Sequence, residues 1–204
     1  MGNMTSLEQF ADQRIVAVIR ALDQETGGQL AEALIQAGVR ILEFTTTLPG
    51  AFELIAHYSR RADLLVGLGT AMSESDVNLG VKAGARFVVS PHTSAEVVTA
   101  TKRAEVLSIP GIATATEVAH AIALGADVLK LFPGGTYGPS HLRSLRDPFP
   151  RQTWMVTGGV TPATLGDWIS AGATAFGLGG PLTAAGAGDV ARRVGEFRSS
   201  LAAH

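Results

Sequence analysis

Val128-Leu129-Lys130-Leu131-Phe132-Pro133 is a short apolar run with a single lysine at its centre. The two other lysines of the chain, Lys82 and Lys102, lie in polar stretches with a helical pattern. An ammonium group loses hydration inside an apolar strand, so burial shifts a lysine toward its neutral, nucleophilic amine. Lys130 is therefore a candidate nucleophile. The alternatives are a lysine that reaches solvent from an edge strand and one that pairs with a carboxylate for structure alone.

Seven further apolar runs accompany this one, and helix-patterned segments separate them along the whole chain. Runs that are apolar on both faces are typical of parallel strands covered by helices. Eight such strands with eight helices in 204 residues predict a compact α/β fold, the single-domain (β/α)8 TIM barrel. A doubly wound sheet is the alternative, but no G-x-G-x-x-G sequence follows the first run. The runs are IVAVIR (15–20), ILEFTT (41–46), LLVGLGT (64–70), FVVSP (87–91), VLSIPG (106–111), VLKLFP (128–133), WMVTGG (154–159) and AFGLGG (175–180).

Helix boundaries support the same division of the chain. A glycine ends several helical segments just before the next strand, as at Gly38, Gly84, Gly125 and Gly172. Hydroxyl residues are predicted to cap helix amino termini at Ser73, Thr93 and Thr116. A short extra helix over residues 5–12 is predicted to cross the amino-terminal end of the barrel. No linker interrupts the pattern, so one barrel domain is predicted for residues 1–204.

The composition argues against several functional classes. The formal net charge is −2 and no basic run exceeds a pair, so no nucleic-acid partner is expected. No apolar stretch reaches membrane-spanning length, and MGNMTSLEQF lacks the apolar segment of a secretory signal, so a cytoplasmic location is predicted. The chain has no cysteine, and its His, Asp and Glu residues lack metal-ligand spacing. Neither a metal nor another cofactor is therefore expected.

Polar side chains collect at the carboxyl ends of the predicted strands, where TIM barrels place their active sites. Side chains alternate between the two faces of a strand, so Lys130 and Glu43 meet in the barrel mouth if both point inward. Glu43 is, like Lys130, isolated among apolar neighbours. The alternative for Glu43 is a structural ion pair with Arg20 or Arg40. The other strand-end candidates are Arg20, Thr47, Thr70, His92, Phe132 and Thr157.

Glycine pairs follow the seventh and eighth runs, at Gly158-Gly159 and Gly179-Gly180. Glycine lets main-chain N–H groups approach a ligand closely, and the loops after strands seven and eight are the recurrent phosphate site of this architecture. These four residues are therefore candidates for phosphate binding. The alternative is that they serve only the tight turns between strand and helix.

Several strings occur together in a recognisable order: IVAVIR, LEFTTTLP, GLGT, VVSPH, PGIATATE, LKLFPGG, VTGGV and GLGG. Over roughly residues 12–200 the chain resembles the 2-keto-3-deoxy-6-phosphogluconate (KDPG) aldolases. This class I family also includes 4-hydroxy-2-oxoglutarate (KHG) aldolases and members specific for the 6-phosphogalactonate epimer. The resemblance implies a TIM barrel that cleaves such a substrate to pyruvate and glyceraldehyde 3-phosphate, or to pyruvate and glyoxylate.

The resemblance also implies roles for individual residues. Lys130 matches the Schiff-base lysine, and Glu43 matches the carboxylate that moves protons. Substrate contacts are implied for Arg20, Thr47, Thr70, Phe132 and Thr157, and phosphate contacts for Gly158, Gly159, Gly179 and Gly180. No metal or cofactor is implied, and family members are commonly homotrimers.

Two positions depart from the family pattern. Some members carry an arginine at the position of Thr47, where it contacts the substrate carboxylate. In this chain the resemblance assigns that carboxylate to Arg20. Many members have a serine near the second glycine pair, where this chain has Gly180 and Pro181. That departure bears on phosphate affinity and not on the carbon–carbon chemistry.

The predicted function is a class I aldolase, a lyase that binds a 2-keto-3-deoxy sugar-acid phosphate and pyruvate. Two alternatives stay open. One is a phosphate-binding TIM-barrel isomerase or synthase, which shares the glycine pairs but needs no lysine in the middle of strand six. The other is a non-catalytic barrel that binds a sugar phosphate as a sensor.

Overall fold

Each apolar run of the sequence forms β-structure, and every strand pairs in parallel with its neighbours. The computed structural model describes residues 6–204. The strands are β1 (Ile15–Ile19), β2 (Ile41–Thr45), β3 (Leu65–Gly69), β4 (Phe87–Val89), β5 (Leu107–Ile109), β6 (Gly111–Ile112), β7 (Val128–Leu131), β8 (Thr153–Thr157) and β9 (Ala175–Leu178). They form one sheet in the order β5-β4-β3-β2-β1-β9-β8-β7-β6. The predicted TIM barrel is therefore confirmed. That residues 1–204 form one domain stays a prediction.

Helices alternate with the strands. They are α1 (Ser6–Gln13), α2 (Gln24–Gln36), α3 (Ala51–Tyr58), α4 (Glu74–Lys82), α5 (Ala95–Arg103), α6 (Ala115–Ala123), α7 (Gly134–Arg146), α8 (Leu165–Ser170), α9 (Gly180–Thr183) and α10 (Val190–Ala202), with a 3₁₀ turn at Ala187–Asp189. The extra helix predicted over residues 5–12 is α1, and residue 5 lies outside the described residues. Within residues 6–204, no helix combines the length and the apolar character needed to cross a membrane.

The fifth run is predicted as one strand but forms two, β5 and β6. Pro110 lies between them and has no N–H group to donate to a strand ladder. β5 pairs with β4, and β6 pairs with β7 on the other side. Hydrogen bonds continue across the break, because Asp127 N donates to Ser108 O and Lys130 N donates to Pro110 O, both at 3.0 Å. β5 and β6 thus act as one interrupted strand that closes the barrel.

Two apolar clusters occupy the two faces of the sheet. The inner cluster takes alternate strand positions: Val16, Ile41, Leu65, Phe87, Val89, Ile109, Val128, Met155 and Ala175. Phe10 of α1 belongs to this cluster and is fully buried, so α1 closes the amino-terminal end of the barrel. The outer cluster lies between strands and helices and takes the intervening positions, including Phe44 and Leu129. Because side chains alternate, Glu43 and Lys130 face the barrel interior.

The predicted helix boundaries are largely confirmed. The four glycines expected at helix ends all have positive φ: Gly38 (89°), Gly84 (102°), Gly125 (88°) and Gly172 (101°). Ser73 caps α4 as predicted. Two cap predictions are wrong, because Ser94 and not Thr93 caps α5, and Thr114 and not Thr116 caps α6. A capping side chain must stand directly before the first helical residue to reach the N–H group three residues on.

Candidate active site

Lys130 lies on β7 inside the barrel, and only 6% of its surface is exposed. Its Nζ donates a hydrogen bond to the main-chain oxygen of Ser90 at 3.4 Å. The same nitrogen lies 4.7 Å from the centre of the Phe132 ring, within the range of a cation–π contact. The barrel interior thus surrounds the amine with one carbonyl group and one aromatic face. The Lys130 amine therefore does not reach solvent from an edge strand.

Glu43 lies on β2 and is 3% exposed. Its side chain occupies space that glycine leaves free on β3, since a Cβ atom on Gly69 would overlap the Glu43 carboxyl group. The structural ion pair considered for Glu43 is not formed with either arginine. Arg40 instead pairs with Asp63 at 3.7 Å, and Arg20 forms no salt bridge with any described residue.

Burial shifts the pKa values of Glu43 and Lys130 in the directions that favour the uncharged form of each group. It raises the pKa of Glu43 above its ordinary value, while the nearby charges of Lys130 and Arg20 act in the opposite direction. Burial also lowers the pKa of Lys130; the Glu43 carboxylate opposes this shift and the Arg20 guanidinium reinforces it. A neutral amine beside a carboxyl group that can gain or lose a proton is suited to nucleophilic and acid–base chemistry.

A cavity of about 190 Å³ lies at the carboxyl ends of β1, β8 and β9. Arg20 is the only charged residue among those that line it, and the Phe132 ring connects it with Lys130. The cavity is lined by Val18, Arg20, Phe132, Thr157, Gly158, Gly159, Val160, Gly177, Leu178, Gly179 and Pro181. The structure thus brings six predicted site residues to one cavity: Arg20, Phe132, Thr157, Gly158, Gly159 and Gly179.

Thr157 presents an unpartnered hydroxyl group beside this cavity. Its Oγ1 is buried and has no hydrogen-bond partner among the described residues. Thr157 pairs across the sheet with Gly177, where a Cβ atom would overlap that hydroxyl. A buried hydroxyl without a partner costs free energy, so it is ready to bond with a polar group that enters the cavity.

The first glycine pair has a conformation that other residues rarely adopt. Gly158 and Gly159 have φ values of 85° and 78°. Gly158 O accepts a hydrogen bond from Gly135 N at 2.7 Å, and the main chain of Gly135 leaves no room for a Cβ atom on Gly159. Gly180 begins α9 and is exposed, with open space around it, but it is not among the residues that line the cavity.

Thr47 and Thr70 are predicted substrate contacts that do not line the cavity. Thr47 is exposed, and its hydroxyl lies 3.0 Å from that of Thr45. Thr70 has φ of 58°, which is unusual for a β-branched residue, and its main-chain oxygen accepts a hydrogen bond from the Thr46 hydroxyl at 2.8 Å. Both residues follow the strands as predicted, and their role as substrate contacts stays a prediction.

The sequence interpretation missed the contact that Ser90 makes through its main chain. A carbonyl group is present at every residue, so no side-chain pattern marks the one that meets Lys130. The role of Gly69 and Gly177 was also missed, although a signal existed. Both glycines lie at inward-facing strand positions, where a missing side chain leaves room for a neighbour.

A larger groove lies elsewhere on the surface. It has a volume of about 930 Å³ and runs along α2, with Tyr58 of α3 on its other side. None of the predicted site residues lines it. Buried titratable groups and an unpartnered hydroxyl identify the functional cavity better than volume does.

Comparison with known proteins agrees with this geometry. The sequence model of the family described as "KDPG and KHG aldolase" matches residues 7–194. A probable 2-dehydro-3-deoxy-6-phosphogalactonate aldolase of Rhizobium meliloti (strain 1021) is 32% identical over 187 residues, which cover 89% of this chain and 88% of that protein. The chain belongs to the KDPG and KHG aldolase family.

Solved structures of aldolases are similar along the whole barrel. A structure described as native KDPGal has a TM-score of 0.86 and 27% identity, and the match covers 99% of this chain and 98% of that one. A KDPG aldolase of Legionella pneumophila, with pyruvate captured at low pH as a covalent carbinolamine intermediate, has a TM-score of 0.77 and 26% identity. That match covers 94% of this chain and 93% of that one. Family membership thus confirms the resemblance and makes this aldolase a lyase.

Among residues 6–204 of this aldolase, no three His, Cys, Asp or Glu side chains are grouped so that they could hold a metal ion. The donors that face the site are Lys130, Glu43, Arg20 and hydroxyl or main-chain groups.

Lys130→Met, made in a Glu43→Gln background, is expected to stabilise the fold by about 1–4 kcal/mol near neutral pH, because folding then neither buries an ammonium group nor removes its proton. The folded pKa of Lys130 lies below its ordinary value of 10.5, so the unfolded chain holds more protons between these two pH values. The destabilisation by Lys130 is therefore complete below the folded pKa, shrinks as pH rises and vanishes above 10.5. Urea unfolding of both proteins from neutral to alkaline pH measures this difference.

Lys82→Met in the same background is the matched control, since Lys82 is exposed. Its effect on the free energy of unfolding should be small and nearly independent of pH. A Lys130→Met difference that stays constant or grows with pH would contradict the depressed pKa of Lys130.

Proposed function

We propose that this protein is a class I aldolase in which Lys130 forms a Schiff base with the 2-keto group of its substrate. The observation that carries the proposal is the buried Lys130 amine, held beside Glu43 and the Phe132 ring and next to the cavity at the barrel mouth. Burial favours the neutral amine, which is the nucleophilic form. The carbinolamine captured in the Legionella pneumophila relative supports covalent chemistry with pyruvate in this family.

The reaction begins when the Lys130 amine attacks the C2 ketone and forms a carbinolamine. Loss of water gives a protonated imine, which accepts the electron pair released when the C3–C4 bond breaks. The C4 hydroxyl loses its proton as the aldehyde product forms, and the enamine of pyruvate stays on Lys130. Protonation at C3 and hydrolysis release pyruvate and restore the amine. The protonated imine serves as the electron sink throughout.

Glu43 moves protons during these steps. Burial raises its pKa, so the carboxyl group takes up and releases protons closer to neutral pH than an exposed glutamate does. The group donates a proton when the carbinolamine loses water and accepts one when the C4 hydroxyl is deprotonated. Gly69 leaves the space in which the carboxyl group sits.

The substrate binds through groups that surround the cavity. Arg20 forms no salt bridge with a described residue and is the one cation of the lining, so it binds the substrate carboxylate. The unpartnered Thr157 hydroxyl bonds with a substrate hydroxyl, and the Phe132 ring covers the reacting carbons. The phosphate group binds to the main chain of Gly158, Gly159, Gly179 and Gly180. Thr47 and Thr70 do not line this cavity and are kept as proposed substrate contacts on the strength of the family resemblance alone.

The substrates are the 2-keto-3-deoxy-6-phospho acids derived from gluconate or galactonate, with 4-hydroxy-2-oxoglutarate as the unphosphorylated candidate. The family description and the names of relatives support this class. The homotrimer is a prediction from the family resemblance. The cytoplasmic location and the single domain over residues 1–204 are predictions from the sequence pattern. The isomerase or synthase and the sugar-phosphate sensor, which the sequence alone left open, predict no covalent adduct.

Pyruvate and sodium borohydride are expected to leave a reduced pyruvate adduct on Lys130, because borohydride traps the imine as a stable amine. Lys130→Ala should lose both the adduct and turnover while the fold survives. Lys82→Ala, at an exposed lysine, should keep both. Mass spectrometry of the digested protein locates the adduct. Turnover by Lys130→Ala, or an adduct on another lysine, would refute the proposed role.

Glu43→Gln is expected to lower kcat by about 100-fold or more, because general acid–base groups typically contribute 10²–10⁴-fold. The amide keeps the size of the side chain but carries no exchangeable carboxyl proton. The pyruvate adduct should still form, although more slowly. Glu53→Gln, at an exposed position of α3, is the control. An unchanged kcat would remove Glu43 from the mechanism.

Substrate preference tests the phosphate site. kcat/KM for a phosphorylated substrate should exceed that for 4-hydroxy-2-oxoglutarate by about 10-fold or more, since a hydrogen bond to a charged group contributes about 1.5–3 kcal/mol. Gly180→Ala adds one methyl group in open space and should raise KM for the phosphorylated substrates alone. Gly188→Ala, also in open space but in the 3₁₀ turn and not in either glycine pair, is the control. A preference for the unphosphorylated substrate would contradict the assignment.

A further inference from the structure

Ser90 is buried at the end of β4 and is 1% exposed. Its main-chain oxygen accepts a hydrogen bond from Lys130 Nζ at 3.4 Å, which is longer than the range of about 2.7–3.2 Å typical of such bonds. Within the described part of the chain, this is the hydrogen bond that holds the amine. The position of this carbonyl group therefore decides where the amine points.

The turn that carries this carbonyl is fastened at three points. Ser90 N donates to Ile109 O at 3.3 Å, and the Ser90 hydroxyl donates to His92 O at 2.7 Å. Thr93, which does not cap α5, donates its hydroxyl to Gly111 O at 2.9 Å. The side chain of Ser90 thus closes the turn on itself, while the other two bonds tie the turn to the interrupted strand.

The same strand supports Lys130. Gly111 of β6 is the direct partner of Lys130 in the sheet, and Lys130 N donates to Pro110 O at 3.0 Å. A Cβ atom at position 111 would overlap the Pro91 carbonyl group, so only glycine fits there. The turn therefore lies directly on the strand that holds Lys130. A shift of the turn changes the distance from the Ser90 carbonyl to the amine.

We propose that Ser90 is a positioning residue for the nucleophile: its hydroxyl holds the turn so that its own carbonyl fixes the Lys130 amine toward the substrate cavity. One N–H bond of the amine is engaged by this carbonyl, and the Phe132 ring covers a second side at 4.7 Å. The nitrogen lone pair is then directed at the C2 ketone. Orienting a nucleophile in this way contributes to rate without touching the substrate. The inference rests on the proposed function of Lys130.

The carbonyl also acts on the charge of the amine, together with two charged side chains. These are Glu43 on β2 and Arg20 after β1, whereas His92 lies exposed on the turn and does not act on the pKa of Lys130. The carbonyl dipole favours the ammonium form, so displacing it lowers the pKa of Lys130 further. The rate of imine formation falls at low pH, where the amine is protonated, and this part of the profile is its acid limb. A lower pKa of Lys130 therefore moves the acid limb to lower pH, while Glu43 and Arg20 stay in place.

The test compares Ser90→Ala with Thr101→Val. Both substitutions remove one buried hydroxyl that donates to a main-chain oxygen, but Thr101 bonds to Val97 within α5. The rate of adduct formation with pyruvate and cyanoborohydride is measured across pH. For Ser90→Ala, we expect the plateau at high pH to fall by about 10-fold and the acid limb to move to lower pH. Thr101→Val should keep the wild-type plateau and limb even where it lowers thermal stability.

His92→Ala separates the side chain of His92 from its main chain. It keeps the oxygen that the Ser90 hydroxyl needs, so its profile should match the wild type. Thr93→Val releases the other end of the turn and should lower the plateau by a smaller factor, about 3-fold. If Ser90→Ala does not fold, Thr93→Val against Thr101→Val decides the question.

The possible failures are distinct. A wild-type protein without an adduct on Lys130 overturns the proposed function and this inference with it. A wild-type adduct with an unchanged Ser90→Ala profile overturns the inference alone. A Ser90→Ala loss that Thr101→Val reproduces, without a movement of the acid limb, means that the hydroxyl serves only stability and also overturns it.

Discussion

The active site depends on the burial of two ionisable groups in one barrel. Lys130 and Glu43 are both almost fully buried. Burial lowers the pKa of Lys130 and raises that of Glu43, so it favours the uncharged form of each, whereas their mutual attraction opposes both shifts. Were attraction to dominate, the result would be an inert ammonium–carboxylate pair; since desolvation is the larger cause for both groups, an amine and an acid are favoured instead. The closed strand wall supplies this desolvation, so the reactivity of the site is a property of the barrel and not of one loop.

Glycine makes this enclosure possible without excluding the functional side chains. Gly69 leaves the space for the Glu43 carboxyl group, and Gly177 leaves the space for the Thr157 hydroxyl. Gly111, the sheet partner of Lys130, admits the turn that brings the Ser90 carbonyl to the amine. A glycine inside a strand weakens it locally. The barrel accepts that cost at three inward-facing positions because side chains there would occupy the space in which the site is built.

The sequence could predict those features that follow from periodicity, and it missed those that depend on the path of the main chain. Alternation along the strand was enough to turn Lys130 and Glu43 inward, and Arg20 and Thr157, at the ends of β1 and β8, line one cavity. Thr47 and Thr70 also follow strands but do not line that cavity, because position along the barrel axis does not fix the path of the following loop. Caps were misplaced where neighbouring hydroxyl residues compete, as with Thr93 and Ser94. The Ser90 carbonyl had no side-chain signal at all.

The division between interior and rim has a consequence for substrate choice. The groups proposed to break the carbon–carbon bond, Lys130 and Glu43, lie within the barrel, where each is enclosed by strand residues on both sides. The groups proposed to bind the rest of the substrate, Arg20, Thr157 and the glycine loops, come from separate strands around the mouth. A change at Thr157 or the glycine loops therefore leaves the burial of Lys130 and Glu43 nearly intact, whereas a change inside the barrel disturbs both pKa values together. Arg20 belongs to both groups, since it lines the cavity and its charge acts on both pKa values. Under the proposed mechanism, one buried pair thus serves epimeric or shorter 2-keto acids, with the selection made by residues around the mouth.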